Sequence, residues 1–193
     1  MMRRWNRPAF FSACVMCLVL LAAESSGAEP RSTSVGAGVE RGSAPLAEAK
    51  VPTAFKHPTK TLYTAGQPTA AQLHQSAAAG ITTVIDLRQP GEARGFDETA
   101  TTTALGLHYV RIPVAGAAGL TPANVQALQT ALTQANGPVL LHCASGNRVG
   151  ALLALMKAQQ GASVGDALQF GREAGMTSLE AQTRALLEQD TAR

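Results

Sequence analysis

A thiol, a guanidinium, an imidazole and a glycine fall within seven consecutive residues, His142-Cys143-Ala144-Ser145-Gly146-Asn147-Arg148. A cysteine thiolate is a strong nucleophile. An arginine fork grips two oxygens of a phosphate or carboxylate at once. Between them lies a short polar loop whose Gly146 permits a positive φ that other residues resist. If a helix starts near Arg148, its first N–H groups point at whatever occupies the loop, and its dipole favours negative charge there. Backbone N–H groups in such a turn form an anion nest, and the same field favours thiolate over thiol. The segment thus suits one chemistry: it holds a tetrahedral anion on the N–H groups of Ala144, Ser145, Gly146 and Asn147 and on Arg148, while Cys143 attacks it. Each residue alone has a plainer reading. Arg148 would serve on a helix surface, His142 as a core histidine, Gly146 in an ordinary turn and Cys143 as a small core hydrophobe. The functional reading rests on their occurring together, after an apolar strand and before a helix.

The elements on either side supply that context. Val139-Leu140-Leu141 is a continuous apolar run, as expected of a central parallel strand buried on both faces. Residues 147–160 follow with helical character. Upstream, 62–65 reads as a short strand and 69–79 as a helix capped by Thr69 and stopped by Gly80. Residues 81–88 read as a strand broken by Gln89-Pro90-Gly91, 96–105 as a helix and 107–114 as a strand. Thr121-Pro122 opens a helix to about residue 135, with threonine as cap and proline at the first position. Helices follow at 164–174 and 178–189. Alternating strands and helices predict an α/β fold, a central mostly parallel sheet with helices on both faces. Ligands in such sheets bind beyond the carboxyl ends of the strands, where the turn after Leu141 lies.

The first 28 residues read as a signal peptide. Arg3, Arg4 and Arg7 precede an uncharged apolar run over 9–23, and Ser26-Gly27-Ala28 supplies small residues at the cleavage positions. The apolar run falls short of the roughly 20 residues that a membrane span needs. The expected location is periplasmic or secreted, with no stable membrane association after cleavage. Residues 29–55, rich in Ser, Gly, Ala and Pro, read as a flexible linker, and 56–193 as the catalytic domain. The formal net charge of +3 is mostly the leader's. Without Arg3, Arg4, Arg7 and Glu24 the chain keeps 13 basic and 12 acidic residues and no basic run. Nucleic acid is therefore not an expected partner. Cys14 and Cys17 also leave with the leader, so Cys143 is the one cysteine of the mature chain and no disulfide framework exists. His57, His74, His108 and His142 form no ligand pair at helical or strand spacing, so neither a metal nor a cofactor is expected.

The pattern His-Cys-x-x-Gly-x-Arg after Val-Leu-Leu resembles the dual-specificity branch of the protein tyrosine phosphatases, and within it a bacterial beta-lactamase-hydrolase-like, phosphatase-like group. Val84-Ile85-Asp86-Leu87-Arg88, His108-Tyr109-Val110-Arg111-Ile112-Pro113-Val114, Tyr63-Thr64-Ala65-Gly66-Gln67-Pro68 and Ala174-Gly175-Met176 carry the same resemblance. It implies a phosphatase fold, Cys143 as the nucleophile that becomes a phosphocysteine, Arg148 as the phosphoryl ligand, and a phosphorylated protein or small phosphate ester as partner. Three departures stand out. The loop has four residues between Cys143 and Arg148 where the superfamily usually has five. Val149 replaces the Ser or Thr that normally follows the arginine. No carboxylate lies between Arg111 and Asp166, so the usual aspartic acid after the Ile-Pro-Val strand is missing, and activity is expected to be weak. Asp97 and Glu98, after the loop over 91–96, are placed to swing over the site, with the N-terminal charge of a helix as their alternative role, and Asp97 is the candidate substitute acid. Two other readings stay open. A rhodanese-like sulfurtransferase shares the loop length, although such domains usually place Tyr before the cysteine and continue into another strand. A non-catalytic anion-binding module would keep the loop without turnover.

Overall fold

The computed structural model describes residues 50–191. The signal peptide and most of the linker lie outside the described residues. Five strands form one sheet in the order β1-β2-β5-β3-β4. They are β1 (Lys56–Thr59), β2 (Leu62–Ala65), β3 (Thr83–Asp86), β4 (His108–Arg111) and β5 (Val139–His142). Only the β1–β2 pair is antiparallel; β2–β5, β5–β3 and β3–β4 are parallel. The edge strand β1 is absent from the sequence-based reading. Its Lys-His-Pro-Thr has no apolar alternation, and proline is tolerated in a strand only at an edge. Val51 and Phe55 already pack against the sheet.

The central position of β5 follows from its composition. All four residues are buried, so both faces must be covered. Leu140 points into a cluster with Leu73, Ile81, Val84 and Leu107, on the side of α1 (Ala70–Ala78) and α2 (Glu98–Ala104). Leu141 points the other way, with Ile85 and Leu87, against α3 (Pro122–Gln134) and α4 (Asn147–Gln159). Helix α4 is the core helix. Its residues from Val149 to Met156 are all buried and none is charged, as expected of a helix covered on every side. Leu152 and Leu153 are wholly buried; such side chains contribute roughly 1.5–3 kcal/mol each. Helices α5 (Val164–Glu173) and α6 (Glu180–Thr191) complete that layer.

The capping chemistry read from the sequence is in place. The Thr69 hydroxyl accepts from Gln72 N–H while the Gln72 side chain accepts from Thr69 N–H, a reciprocal capping box. Thr121 caps α3 with Pro122 behind it. The strands at 81–88 and 107–114 are shorter than expected. Their flanks still bond to the sheet, through Leu87 N–H to His142 O and Ile112 N–H to Asp86 O.

Register decides what meets at the carboxyl ends. Ala65 pairs with His142, His142 with Asp86, and Asp86 with Arg111. Four strand ends therefore stand side by side beneath the residue that comes after His142.

Candidate active site

The loop after β5 is a backbone cradle. Gly146 is the N-cap of α4 with φ 86°, so the chain turns there through the left-handed region. Its N–H donates to Cys143 Sγ at 3.1 Å. This bond stands where a hydroxyl after the arginine would otherwise serve, since Val149 is fully buried in the core. The N–H groups of Ala144, Ser145, Asn147 and Arg148 meet no acceptor among the described residues. Four free donors around one turn are what an anion nest requires. Gly66 and Gln67 brace the far side: Gln67 N–H donates to Ala144 O at 3.1 Å. A Cβ on Gly66 would come within 3.0 Å of that same oxygen, so glycine permits the approach.

Asn147 uses its side chain elsewhere. Its Oδ1 accepts from the N–H groups of Thr177 and Leu179, and its Nδ2 donates to Ser178 Oγ at 2.7 Å. The loop is thereby tied to the turn between α5 and α6.

Arg148 is held by a residue that the sequence reading missed. Its Nη1 donates to Glu92 Oε1 at 2.6 Å and to Val114 O at 3.0 Å, and its Nη2 donates to Glu92 Oε2 at 2.7 Å. A guanidinium has five N–H bonds. These contacts occupy the Nη1 side and one Nη2 hydrogen. The Nε–H and the second Nη2–H lie on the other edge, the pair that grips a phosphoryl group bidentately; the guanidinium also hydrogen-bonds the Cys143 sulfur. Glu92 is itself fixed by Arg88 Nε at 3.2 Å and Gln89 N–H at 2.7 Å. It sits in the Gln89-Pro90-Gly91 turn, where no periodicity marks a functional side chain. Hydrogen bonding to Glu92 raises the Arg148 pKa above its ordinary value against the opposing effect of burial, and the nearby Cys143 sulfur adds to the rise. Reciprocally, the Arg148 guanidinium holds Glu92 at about 2.

That depression predicts a pH dependence. A carboxylate with a lowered folded-state pKa contributes stability above its unfolded value, here 4.5, and loses it as pH falls through about 2. Glu92→Gln should therefore destabilise the protein at pH 7 by about 1–3 kcal/mol in urea titrations, the side chain being 26% exposed. The difference from wild type should shrink as pH falls from 4.5 toward 2. A difference that stays constant over that range would remove Glu92 as the pair's titrating partner.

Behind the loop lies a buried charged cluster. His142 Nε2 is 3.0 Å from Glu98 Oε1 and 3.9 Å from Asp86 Oδ1, and all three side chains are fully buried. Arg94 bonds Asp86 Oδ2 at 2.7 Å and lies 3.5 Å from Glu98 Oε2. Tyr109 donates to Asp86 Oδ2 at 2.7 Å, and Gln67 Nε2 donates to Glu98 Oε2 at 3.1 Å. Burial pushes the Asp86 carboxyl up, but His142, Tyr109, Arg88 N–H and Arg94 together hold it below its ordinary value. Asp86, Glu98 and His142 do bring three ligand-type atoms within 4.8 Å of one another. No spacing rule exposes that grouping, since the three come from separate elements. Arg94 stands against both carboxylates and Arg111 Nε lies 3.8 Å from Asp86 Oδ2, so two guanidinium groups already face the pair and the donor set is that of an ion-pair network rather than of a cation site.

Cys143 is wholly buried. Its sulfur lies at the floor of the loop with Arg148 against it. Asp97 is exposed and caps α2, its Oδ1 accepting from Ala100 N–H at 2.9 Å. The structure thus brings Cys143, Ser145, Gly146 and Arg148 into one cradle, turns the Asn147 side chain outward, and gives Asp97 to its helix.

The sequence profile of the beta-lactamase hydrolase-like protein, phosphatase-like domain, matches residues 54–161. A beta-lactamase hydrolase-like protein of Agrobacterium fabrum is 35% identical over 66% of this chain, and one of Xylella fastidiosa is 36% identical over 61%. The match covers 30% of each relative, so this chain spans less than a third of their length. Among solved structures, a candidate phosphatase from Neisseria meningitidis aligns with TM-score 0.61 and 28% identity, over 72% of this chain and 99% of that one. Tk-PTP in its active form aligns with TM-score 0.57 at 17% identity, over 73% and 99%, which is a likeness of fold.

Proposed function

Because the chain belongs to the beta-lactamase hydrolase-like, phosphatase-like domain family and has the fold of the protein tyrosine phosphatase-like enzymes, we propose that it is a cysteine-dependent phosphatase acting through a phosphocysteine. The observation that carries this reading is the Cys143 loop. Loop N–H groups without a backbone acceptor surround the turn that holds the thiol, and the Arg148 guanidinium hydrogen-bonds its sulfur. Cys143 Sγ attacks phosphorus as the bond to the leaving oxygen breaks. The N–H groups of the loop and Arg148 stabilise the equatorial oxygens as charge builds on them. Water then attacks the phosphocysteine, phosphate departs, and the electron pair of the S–P bond returns to sulfur as thiolate. Hydrogen bonding from Gly146 N–H stabilises that sulfur in its anionic state. Sulfur transfer is disfavoured by the order of elements after the loop: α4 leads into two further helices, not a strand. The partner is a phosphorylated protein or a small phosphate ester.

The test is turnover of 4-nitrophenyl phosphate under reducing conditions by wild type and by Cys143→Ser. Wild type should release nitrophenol and the variant should fall by at least about 10⁴-fold, the scale of losing a nucleophile that acts as a unit with its site. Equal rates in the two would end the cysteine mechanism. Absent phosphate turnover with persulfide formed from thiosulfate would reassign the loop to sulfur transfer.

Export completes the proposal. Its support is the basic, apolar and small-residue order of the first 28 residues. N-terminal sequencing of periplasmic material should begin at Glu29; chain that keeps Met1 in a membrane fraction would count against it.

A further inference from the structure

Given the phosphatase reading, what the site lacks narrows its substrate. A leaving oxygen departs either protonated by a general acid or as a stable anion. A general acid must hold a proton near neutral pH and reach that oxygen. The segment after β4 carries no carboxylate; a 3-10 turn of glycine and alanine, Gly116–Gly119, stands there. The carboxylates that approach from the other side are acceptors already in use. Asp86 takes hydrogen bonds from Arg94, Tyr109 and Arg88 N–H. Glu92 takes them from Arg148, Arg88 and Gln89 N–H and is held at about 2. Asp97 accepts from its own helix. Glu98 and His142 are sealed beneath the loop. Tyr109 is pushed up to about 12 by burial and donates its O–H hydrogen bond to Asp86. Among these groups none presents a proton on the solvent side of the loop.

We propose that the Cys143 loop turns over phosphoryl groups carried on acidic leaving groups, aryl phosphates or phosphoanhydrides, and discriminates against alkyl phosphates. The Sγ–P bond forms as the P–O bond breaks, and the electron pair leaves on oxygen as an anion without a proton. Water later attacks the phosphocysteine, gives its proton to solvent and releases thiolate. A cleft of about 250 Å³ shares Ser145 and Gly146 with the loop. Lys56 and Arg172 line it, the latter also paired with Glu180, and no carboxylate does so among the described residues.

The experiment is kcat/KM of the full chain for aryl phosphates of decreasing leaving-group acidity, from 4-nitrophenyl through 4-chlorophenyl to phenyl phosphate, with β-glycerol phosphate and inorganic pyrophosphate alongside. A steady fall along the aryl series is expected. β-Glycerol phosphate should be slower than 4-nitrophenyl phosphate by at least about 10²–10⁴-fold, the contribution an acid would have supplied. Pyrophosphate cleaved as fast as 4-nitrophenyl phosphate identifies the anhydride as the source of the leaving group; slower cleavage identifies the aryl ester. Asp97→Asn, which preserves the helix cap, should leave the slope unchanged. A flat wild-type series, or a slope that steepens in Asp97→Asn, overturns the inference and leaves the cysteine chemistry standing. Phosphate turnover that survives in Cys143→Ser, or is absent in wild type, fells the phosphatase reading and this inference with it.

Discussion

Arg148→Lys should lower kcat/KM for 4-nitrophenyl phosphate by about 10²–10³-fold while the protein stays folded, the scale of losing one preorganised donor to a developing oxyanion. The two residues carry the same charge, so charge alone predicts little change. Geometry predicts the loss. The Arg148 fork faces two ways, with one edge on Glu92 and Val114 O while the guanidinium also bonds the Cys143 sulfur. An ammonium is a single point with three rotatable donors and cannot hold Glu92 and a phosphoryl group in fixed planes together. Lysine drawn to Glu92 leaves the loop without its clamp. The deficit should therefore appear in kcat, where the transition state is gripped, more than in KM. Steady-state kinetics decide the matter, and activity within threefold of wild type would take Arg148 out of the site.

The second large effect concerns stability. Gly150→Ala should destabilise the fold by roughly 3 kcal/mol and lower the melting temperature by about 10 °C. Position 150 lies on the first turns of α4, where an alanine ordinarily favours a helix over glycine. Here a Cβ would press into Gly171 O and Met176 N, which are backbone atoms and cannot rotate away. Gly171 answers from α5, where an added Cβ would come within 2.8 Å of Gly150 O. The two glycines thus let the helices pack backbone to backbone. Gly165→Ala is the matched control. It meets nothing closer than Ser163 Oγ at 3.8 Å, so helix propensity should win, with a gain of about 0.5–1 kcal/mol. Thermal melts of the two variants should move in opposite directions. A Gly150→Ala protein as stable as wild type would show that the helices separate without cost.

The contrast between local and distant contacts explains which features were legible in the sequence. Val139-Leu140-Leu141, Thr69 and Thr121-Pro122 announced themselves because their physics is local: a doubly buried strand and capped helix starts are written in adjacent residues. Cys143, Gly146 and Arg148 were legible for the same reason, being packed into one turn. Glu92 was not, because its partner lies 56 positions away and is reached through a loop. The Asp86, Glu98 and His142 cluster was hidden in the same manner; strand register brings the first and last together, and register is not written in either segment. In sequence Glu98 reads with Asp97 as a carboxylate placed to swing over the site, whereas it is buried against His142. Edge strand β1 escaped because Lys-His-Pro-Thr has no face to bury.

The Asn147 tether sets a rule for how this module can be cut and joined. The family profile ends at residue 161. Thr177, Ser178 and Leu179, which hold the first residue of α4, lie beyond it, as do Gly171 and Met176, against which Gly150 is fitted. Recombination that fused residues 54–161 alone to another polypeptide would hand over the Cys143 loop without the frame that holds it. In this chain the transferable piece is the loop together with its downstream helices through residue 179.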